Sequence, residues 1–257
     1  MLHGRRIAVV VPSFNAGARL HGVLASVPGF VDRIVVVDDG SCPREEVPPD
    51  PRAAFVRHAR NQGVGAAILT GYAEARRLRA DVAVVMAADG QMDPSDLPRL
   101  LAPVLEGDAA YCKGDRLSHP DCRRVMPFLR FAGNCSLTFL TRHLTGIEGL
   151  MDSQCGYTAL RLDVLSRLPV EWLYPRYGFP NDLLAALAGA GMPIAQVTVA
   201  PVYRGELSGI RPLLAALVYP LILLRGLLVR WIARHGARGR CDGVPAGSQA
   251  GVAGLSG

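Results

Sequence analysis

The sequence predicts an α/β fold in which a mostly parallel central sheet carries helices on both faces. Short apolar runs rich in valine alternate with longer segments of helical period. These runs are nearly continuous, which is typical of strands buried on both faces of a parallel sheet. With 257 residues, of which 50% are hydrophobic and 19% charged, the chain is long enough to bury a full core, and disorder throughout is excluded.

The individual elements are predicted from these runs in chain order. The apolar runs predict strands at 6–12, 32–37, 53–58, 81–86, 108–116 and 194–204. The helical periods predict helices at 18–27, 63–80, 95–107, 126–144 and 181–192. Beyond Gly156 the pattern is less regular, and no strand is predicted there before residue 194.

The net charge of +6 comes almost wholly from arginine, because Lys113 is the only lysine among 28 basic residues. Arginine binds phosphate oxygens in pairs, so this excess suits a phosphate-bearing ligand, although GC-rich codon usage is the simpler explanation. Since no basic stripe alternates with aromatic residues, we expect no nucleic-acid partner.

The cysteines and the amino terminus indicate a cytosolic protein. The six cysteines form no CxxC pair and show no metal-ligand spacing with histidine, which favours reduced thiols. The apolar run near the amino terminus is too short for a signal peptide and no small-residue cleavage site follows it, so we expect it to be the first strand.

The carboxyl-terminal part predicts a membrane-associated segment at 207–235 and a disordered tail at 236–257. Its apolar run, 212–224, has 13 residues. As a helix it spans about 20 Å, whereas a bilayer core needs about 30 Å. We therefore expect helices that lie on the membrane beside a main domain at 1–206. A buried helix hairpin or a homo-oligomer interface is the alternative.

Acidic residues follow two of the predicted strands, where ligands bind in open parallel sheets. Asp38 and Asp39 follow the second strand, although an ordinary Asx turn explains them equally well. Asp89, Gln91 and Asp93 follow the fourth, and their oxygen atoms suit Mg²⁺ or Mn²⁺. For Asp93, which precedes a proline, helix capping is the preferred interpretation.

Seven motifs together resemble family 2 glycosyltransferases of the GT-A fold, in particular the branch of dolichyl-phosphate and polyprenyl-phosphate sugar synthases. The resemblance covers residue 5 to about residue 205. The motifs, in the expected order, are VVVPSFNAG, VVVDDGS, NQGVGAA, ADGQMDP, KGDR, MDSQCGYTAL and YGFPNDLL. The resemblance implies inverting transfer of a sugar from a nucleotide diphosphate, assisted by a divalent metal, Mg²⁺ or Mn²⁺.

On the donor side, the resemblance assigns nucleotide-sugar binding to five positions. These are Pro12, Asn15, Asp39, Gly63 and Asp89. Asp89 and Gln91 also match the second and third members of the family's metal motif, DxDxQ. Its first member is replaced by Ala87, and two further acids common in the family are replaced by Ala16 and Pro180. We therefore expect the metal to bind weakly and to enter with the diphosphate.

On the acceptor side, the resemblance places Arg116, Arg130 and Asn134 near the acceptor phosphate and donor diphosphate. Arginine suits this task because its planar fork binds phosphate oxygens in pairs. A phosphate acceptor is already ionised and needs no base, whereas an alcohol needs one. Asp182 is the candidate base, or else an acid that interacts with a helix dipole.

We expect Gln154 and Tyr157 to line the acceptor side. The candidate catalytic residues are Asp89, Arg116, Arg130 and Asp182. The expected acceptor is a polyprenyl phosphate at the inner face of the cytoplasmic membrane, where the protein would be peripheral.

Three alternatives stay open at this stage. The acceptor could be a sugar hydroxyl of an envelope polysaccharide, or the protein could bind a nucleotide sugar without catalysis, as the lost acids suggest. A dinucleotide-binding oxidoreductase is disfavoured, because GVGAAI lacks the third glycine of that fingerprint and does not follow the first strand.

Overall fold

The computed structural model describes residues 1–203, 221 and 224–235. Within them, every predicted strand and helix is confirmed. The strands are β1 (Ile7–Ser13), β2 (Arg33–Asp38), β3 (Ala53–Arg57), β4 (Val82–Val85), β5 (Tyr111–Asp115), β6 (Thr158–Arg161) and β7 (Ile194–Thr198). The α-helices are α1 (Ala18–Ser26), α2 (Val64–Arg77), α3 (Leu97–Leu105), α4 (Cys122–Val125), α5 (Phe128–Thr145) and α6 (Phe179–Gly189). Residues 224–235 are also helical.

The seven strands form one sheet in the order β3-β2-β1-β4-β6-β5-β7. All neighbouring pairs are parallel except those of β6, which runs antiparallel to both β4 and β5. The sequence did not predict β6, because its four residues, TALR, lack the valine-rich apolar run that marks the equally short β4. Its reversed direction has a consequence for the site: Thr158, its first residue, pairs with Val85 and Lys113 near the carboxyl ends of β4 and β5.

The core lies on both faces of the sheet, as predicted. Successive residues of a strand point to opposite faces. Accordingly, Ala8 and Val10 of β1 pack in one cluster with residues of α2 and α6. Val9 and Val11 pack in a second cluster with residues of α1 and α3.

The helical segment 224–235 packs against the first of these clusters. Val229 and Ala233 are buried there, and the Arg230 Nη1 donates to the Leu144 carbonyl at 2.7 Å. The rest of the predicted membrane-associated segment, and the predicted tail at 236–257, lie outside the described residues. In the part of the chain that is described, no helix is long and apolar enough to cross a bilayer.

The sheet order also fixes where a ligand is expected. The chain passes from β1 to β2 on one side, whereas β4 lies on the other side of β1. Such a reversal opens a crevice at the carboxyl ends of the strands. The segments that follow β1, β2, β4 and β5, together with the loop that precedes β6, all lie along this edge.

Candidate active site

The loop after β1 interlocks with the loop after β2. Asn15 has a left-handed backbone, φ 52°, which asparagine tolerates better than most residues. Its N–H donates to the Ser41 hydroxyl at 2.9 Å, and its side-chain oxygen accepts from the Cys42 N–H at 3.0 Å. Pro12 lies just before this loop, buried in β1 opposite Val37. Both predicted nucleotide-binding residues of the first loop therefore lie at the expected edge.

Asp39, at the end of β2, is buried and already bound by the protein. Its carboxylate accepts from the N–H groups of Gln62 and Gly63 at 2.9 and 2.8 Å. The His58 Nδ1 lies 2.6 Å from the same carboxylate. Asp39 thus ties the end of β2 to the start of α2, and its neighbour Asp38 likewise accepts from the Ser41 N–H at 2.8 Å.

Gly63 is required by the backbone at the start of α2. Its φ of 108° is one that side chains rarely allow. A Cβ placed there would lie 2.4 Å from the Pro175 carbonyl oxygen. In this structure Gly63 therefore allows close backbone packing and donates its N–H to Asp39.

The metal motif after β4 forms a short turn. The Asp89 carboxylate is partly exposed and accepts from the Gln91 N–H at 2.9 Å. Asp93 accepts from the Ser95 N–H at 2.8 Å at the start of a helical turn, which confirms the capping interpretation. The Ala87 N–H, at the position of the missing acid, donates to the Met92 sulfur at 3.2 Å.

The donor set of this turn fits a hard divalent ion only in part. Asp89 supplies one carboxylate and Gln91 one amide oxygen, which is the oxygen chemistry that Mg²⁺ and Mn²⁺ accept. Among the described residues, no group of three or more histidines, cysteines or acids could hold a metal. An ion here would therefore depend on further oxygen atoms from a bound diphosphate.

The end of β5 carries a buried ion pair. The Arg116 Nε and Nη2 donate to the two carboxylate oxygens of Asp152 at 2.9 and 3.2 Å. Asp152 is fully buried, and the Arg116 side chain is 13% exposed. Although burial would raise the pKa of the Asp152 carboxyl, the Arg116 guanidinium outweighs it and holds that pKa below its ordinary value.

Lys113, on the same strand, contacts the same loop. Its side chain is fully buried, and its Nζ donates to the Cys155 carbonyl. Burial lowers the pKa of this ammonium. The Gly114 N–H adds a bond to the Tyr157 carbonyl at 2.8 Å. Through these contacts β5 fixes the loop 152–157, which precedes β6.

Two of the predicted acceptor residues, Gln154 and Asn134, are half-buried and make different contacts. The Gln154 Nε2 donates to the Ser153 hydroxyl and to the Asn181 Oδ1, at 2.8 and 3.2 Å, and its side chain is half-buried. Asn134 on α5 is also half-buried, with its Nδ2 3.8 Å from the Met126 sulfur.

Arg130, one turn earlier on α5, covers the ring of Tyr203. Its guanidinium carbon lies 4.9 Å from the ring centroid, within the range of a cation–π contact. This contact holds Arg130, which is predicted to bind phosphate, at the protein surface beside α5.

Two predictions need correction. Tyr157 was expected to line the acceptor side, but it is 2% exposed and its hydroxyl donates to the Asp93 carbonyl at 3.0 Å. Its bulky ring packs in the core, so it supports the loops rather than contacting an acceptor.

Asp182 was the candidate base, yet its side chain is fully buried. It accepts from the Tyr174 N–H at 2.9 Å and from the Arg225 Nε at 3.0 Å. Burial nevertheless raises the pKa of this carboxyl. A carboxylate that binds an amide and a guanidinium away from solvent is not placed to take a proton from an acceptor, so Asp182 anchors the segment 224–235 instead.

Sequence reasoning missed Asp152 and Glu45. Asp152 stands in the MDSQCGYTAL motif, and a lone acid two residues before Gln154 was a usable signal. Glu45 lies in a proline-rich loop without any motif, and only its contacts reveal it.

Known proteins are similar to this chain in sequence. The model of the family described as glycosyl transferase family 2 matches residues 8–168. The UDP-N-acetylglucosamine–dolichyl-phosphate N-acetylglucosaminyltransferase of Methanococcus voltae is 27% identical over 216 residues, which are 77% of this chain and 86% of that protein. The polyprenol monophosphomannose synthase of Mycolicibacterium smegmatis is 30% identical over 205 residues, 76% of this chain and 77% of that protein.

A solved structure shows the same architecture. Glucosyl-3-phosphoglycerate synthase from Mycobacterium tuberculosis, in complex with Mn²⁺, UDP and glucosyl-3-phosphoglycerate, superposes with a TM-score of 0.60 at 23% identity. The match covers 88% of this chain and 80% of that one, and it confirms the predicted GT-A fold. With the family match over residues 8–168, this establishes that the chain is a glycosyltransferase of family 2.

Proposed function

We propose that the protein transfers a sugar, with inversion, from a nucleotide diphosphate to a polyprenyl phosphate at the inner face of the cytoplasmic membrane. The observation that carries the proposal is the group of basic side chains near the end of β5. There Arg116 and Lys113 lie near two buried carboxylates, Asp152 and Asp115, and Arg130 adds a further guanidinium on the neighbouring α5, while the candidate base Asp182 is buried elsewhere. This environment suits an acceptor that is already ionised and needs cations rather than a base.

The donor occupies the crevice at the ends of β1, β2 and β4. Pro12, Asn15, Asp39 and Gly63 shape its nucleoside side. Asp89 and Gln91 would hold Mg²⁺ or Mn²⁺, which would neutralise the charge of the departing nucleoside diphosphate.

The acceptor phosphate lies near Arg116 and Arg130, with Asn134 and Gln154 as hydrogen-bond partners. One phosphate oxygen attacks the anomeric carbon from the face opposite the diphosphate, so the configuration inverts. The name of the Methanococcus relative includes dolichyl phosphate and that of the Mycolicibacterium relative includes polyprenol monophosphomannose, which supports the same acceptor class here.

Exposed apolar side chains support a membrane-bound acceptor. Phe128 and Leu129, at the start of α5, are 79% and 84% exposed. On the segment 224–235, Leu224, Leu228 and Trp231 are exposed at spacings of four and three residues, which places them along one helical stripe. Such surfaces lie in the interfacial region of a bilayer, although a homo-oligomer would bury them equally well.

The direct test incubates purified protein with a panel of UDP- and GDP-linked sugars and undecaprenyl phosphate, with and without Mn²⁺. We expect a lipid-linked sugar as the product. Asp89→Ala should abolish it, whereas Asp108→Ala, an exposed acid remote from the motifs, should not. Product formed only with soluble glycans would point instead to a sugar-hydroxyl acceptor.

A second candidate function is nucleotide-sugar binding without catalysis, which Ala87 favours because it leaves the DxDxQ motif with a single carboxylate. Binding without turnover across the whole panel would support it. Under the catalytic proposal, Ala87→Asp should raise the apparent affinity for Mn²⁺, and an unchanged metal dependence would count against Asp89 and Gln91 as the metal ligands.

A further inference from the structure

Glu45 joins the two loops that border the nucleotide side of the crevice. It lies in the loop after β2, and its side chain is buried although its neighbour Glu46 is exposed. One carboxylate oxygen accepts from the Ala16 N–H at 2.6 Å, and the other accepts from the Gly17 N–H at 3.1 Å. Both donors belong to the loop after β1.

Two hydroxyl groups complete the environment of this carboxylate. Ser13, the last residue of β1, donates to Glu45 at 3.1 Å, and Ser41 donates to it at 3.3 Å. Ser41 also accepts from the Asn15 N–H, so the same cluster reaches the residue expected to contact the nucleotide. The carboxylate therefore binds four donors drawn from both loops.

The loop after β1 needs such an external acceptor. Among the described residues, α1 has no side-chain cap and no acid in its first turn, so no charge within the helix itself offsets the positive end of its dipole. Asn15 has a positive φ of 52°, a conformation that costs a non-glycine residue free energy and is held by surrounding contacts, whereas Gly17 adopts its φ of 56° without such a cost. Glu45 supplies the negative acceptor at this helix start.

Glu45 is itself anchored to the sheet. Its N–H donates to the Asp38 Oδ2 at 3.4 Å, and Asp38 lies 3.7 Å from the Arg57 Nε on β3. Contacts thus run from β3 through β2 to the loop after β1. This chain of contacts makes the position of Asn15 depend on Glu45.

We propose that Glu45 is a positioning residue for the donor nucleotide: it holds the loops after β1 and β2 in the binding arrangement before the nucleotide enters. The inference rests on the proposed function, because it names a residue that acts on the proposed donor site. Preorganised loops bind more tightly because binding no longer has to order them.

The test compares Glu45→Gln with Glu46→Gln, an identical change at the next, exposed residue. The amide that replaces the carboxylate in Glu45→Gln would turn an N–H₂ group toward backbone donors, so the loops should loosen. With UDP and GDP as probes, in the presence of Mn²⁺, we expect Glu45→Gln to raise the dissociation constant about tenfold, the scale of one lost charge-assisted hydrogen bond. The KM for undecaprenyl phosphate should stay unchanged, and Glu46→Gln should match the wild type in both.

Three outcomes separate the possibilities. A lower melting temperature with unchanged nucleotide affinity, measured well below unfolding, would overturn the positioning role and leave a structural one. Wild-type protein that binds neither UDP nor GDP would overturn the proposed function itself. If Glu45→Gln does not fold, Ser41→Ala removes one hydroxyl of the cluster and should weaken nucleotide binding in the same direction, and unchanged binding would contradict the inference.

Discussion

The ends of β2 and β5 both bury carboxylates, but they bind them with different partners. Asp39 and Glu45, beside β2, accept mainly from backbone N–H groups, which are neutral. Asp152, beside β5, is bound by the Arg116 guanidinium, and Lys113 lies close to it. The β2 end is therefore rich in negative charge and shaped by the backbone, whereas the β5 end pairs buried carboxylates with arginine and lysine side chains.

This difference predicts that the two ends, along one edge of the sheet, bind chemically different parts of the substrates. A region with fixed backbone and carboxylates suits the neutral nucleoside, whose base and ribose donate hydrogen bonds. A region that presents arginine and lysine side chains suits phosphate. The same contrast predicts that substitutions at the two ends destabilise the protein for different physical reasons.

The largest effect is expected from Asp152→Asn. It leaves the Arg116 guanidinium buried without its counter-charge, and breaking such a buried pair costs about 3 to 5 kcal/mol. Urea denaturation measures this loss of unfolding free energy. As the matched control, Asp163→Asn breaks the exposed pair with Arg161, which is worth at most about 1 kcal/mol. Equal stability of the two variants would remove the distinction drawn for the β5 end.

Gly63→Ala tests the backbone character of the β2 end. The added Cβ would meet the Pro175 carbonyl oxygen, and the positive φ adds strain, so we expect a loss of about 1 to 3 kcal/mol. Gly22→Ala is the control, because this helical glycine in α1 has open space around it and should gain about 0.5 to 1 kcal/mol. Thermal denaturation of both variants should show shifts of opposite sign, and a stabilised Gly63→Ala protein would contradict the proposed packing.

The pH dependence of stability should distinguish the buried Asp152 from the buried Asp182, because their pKa values shift in opposite directions. The lowered pKa of Asp152 contributes stability above its unfolded pKa, and this is lost as pH falls through the folded value. The pKa of Asp182 is raised by burial, so its ionisation opposes folding as pH rises above the unfolded value. Between about pH 3 and 6, the destabilisation by Asp152→Asn should therefore grow, while that by Asp182→Asn should shrink. Parallel curves from urea titrations at several pH values would refute this assignment.

The smallest effect on stability is expected from Arg130→Ala, which removes the cation–π contact with Tyr203. Both side chains are partly buried, and a contact of this kind is worth about 0.5 to 2 kcal/mol. Under the proposed function, the same variant should raise the KM for undecaprenyl phosphate far more than it lowers stability. Arg124→Ala, an exposed arginine on α4, provides the comparison, and similar KM values for both variants would argue against Arg130 as a phosphate ligand.

The sequence by itself determined the alternation of elements and the edge at which the motifs meet. Valine-rich runs such as 34–37 are buried on both faces, and their composition suffices to predict this. Local turn chemistry was equally readable, as the cap formed by Asp93 before Pro94 shows. These features depend on residues that are close in sequence.

Only the tertiary structure decided which charged groups pair. Arg116 meets Asp152 across 36 residues, Asp182 meets Arg225 across 43, and Glu45 reaches Ala16 across 29. The antiparallel strand β6 depends likewise on pairing with distant strands. Long-range partners leave no periodic trace in a single sequence, and the surroundings rather than the residue type set the pKa of such groups. The sequence alone therefore allowed Asp182 to be interpreted as a base.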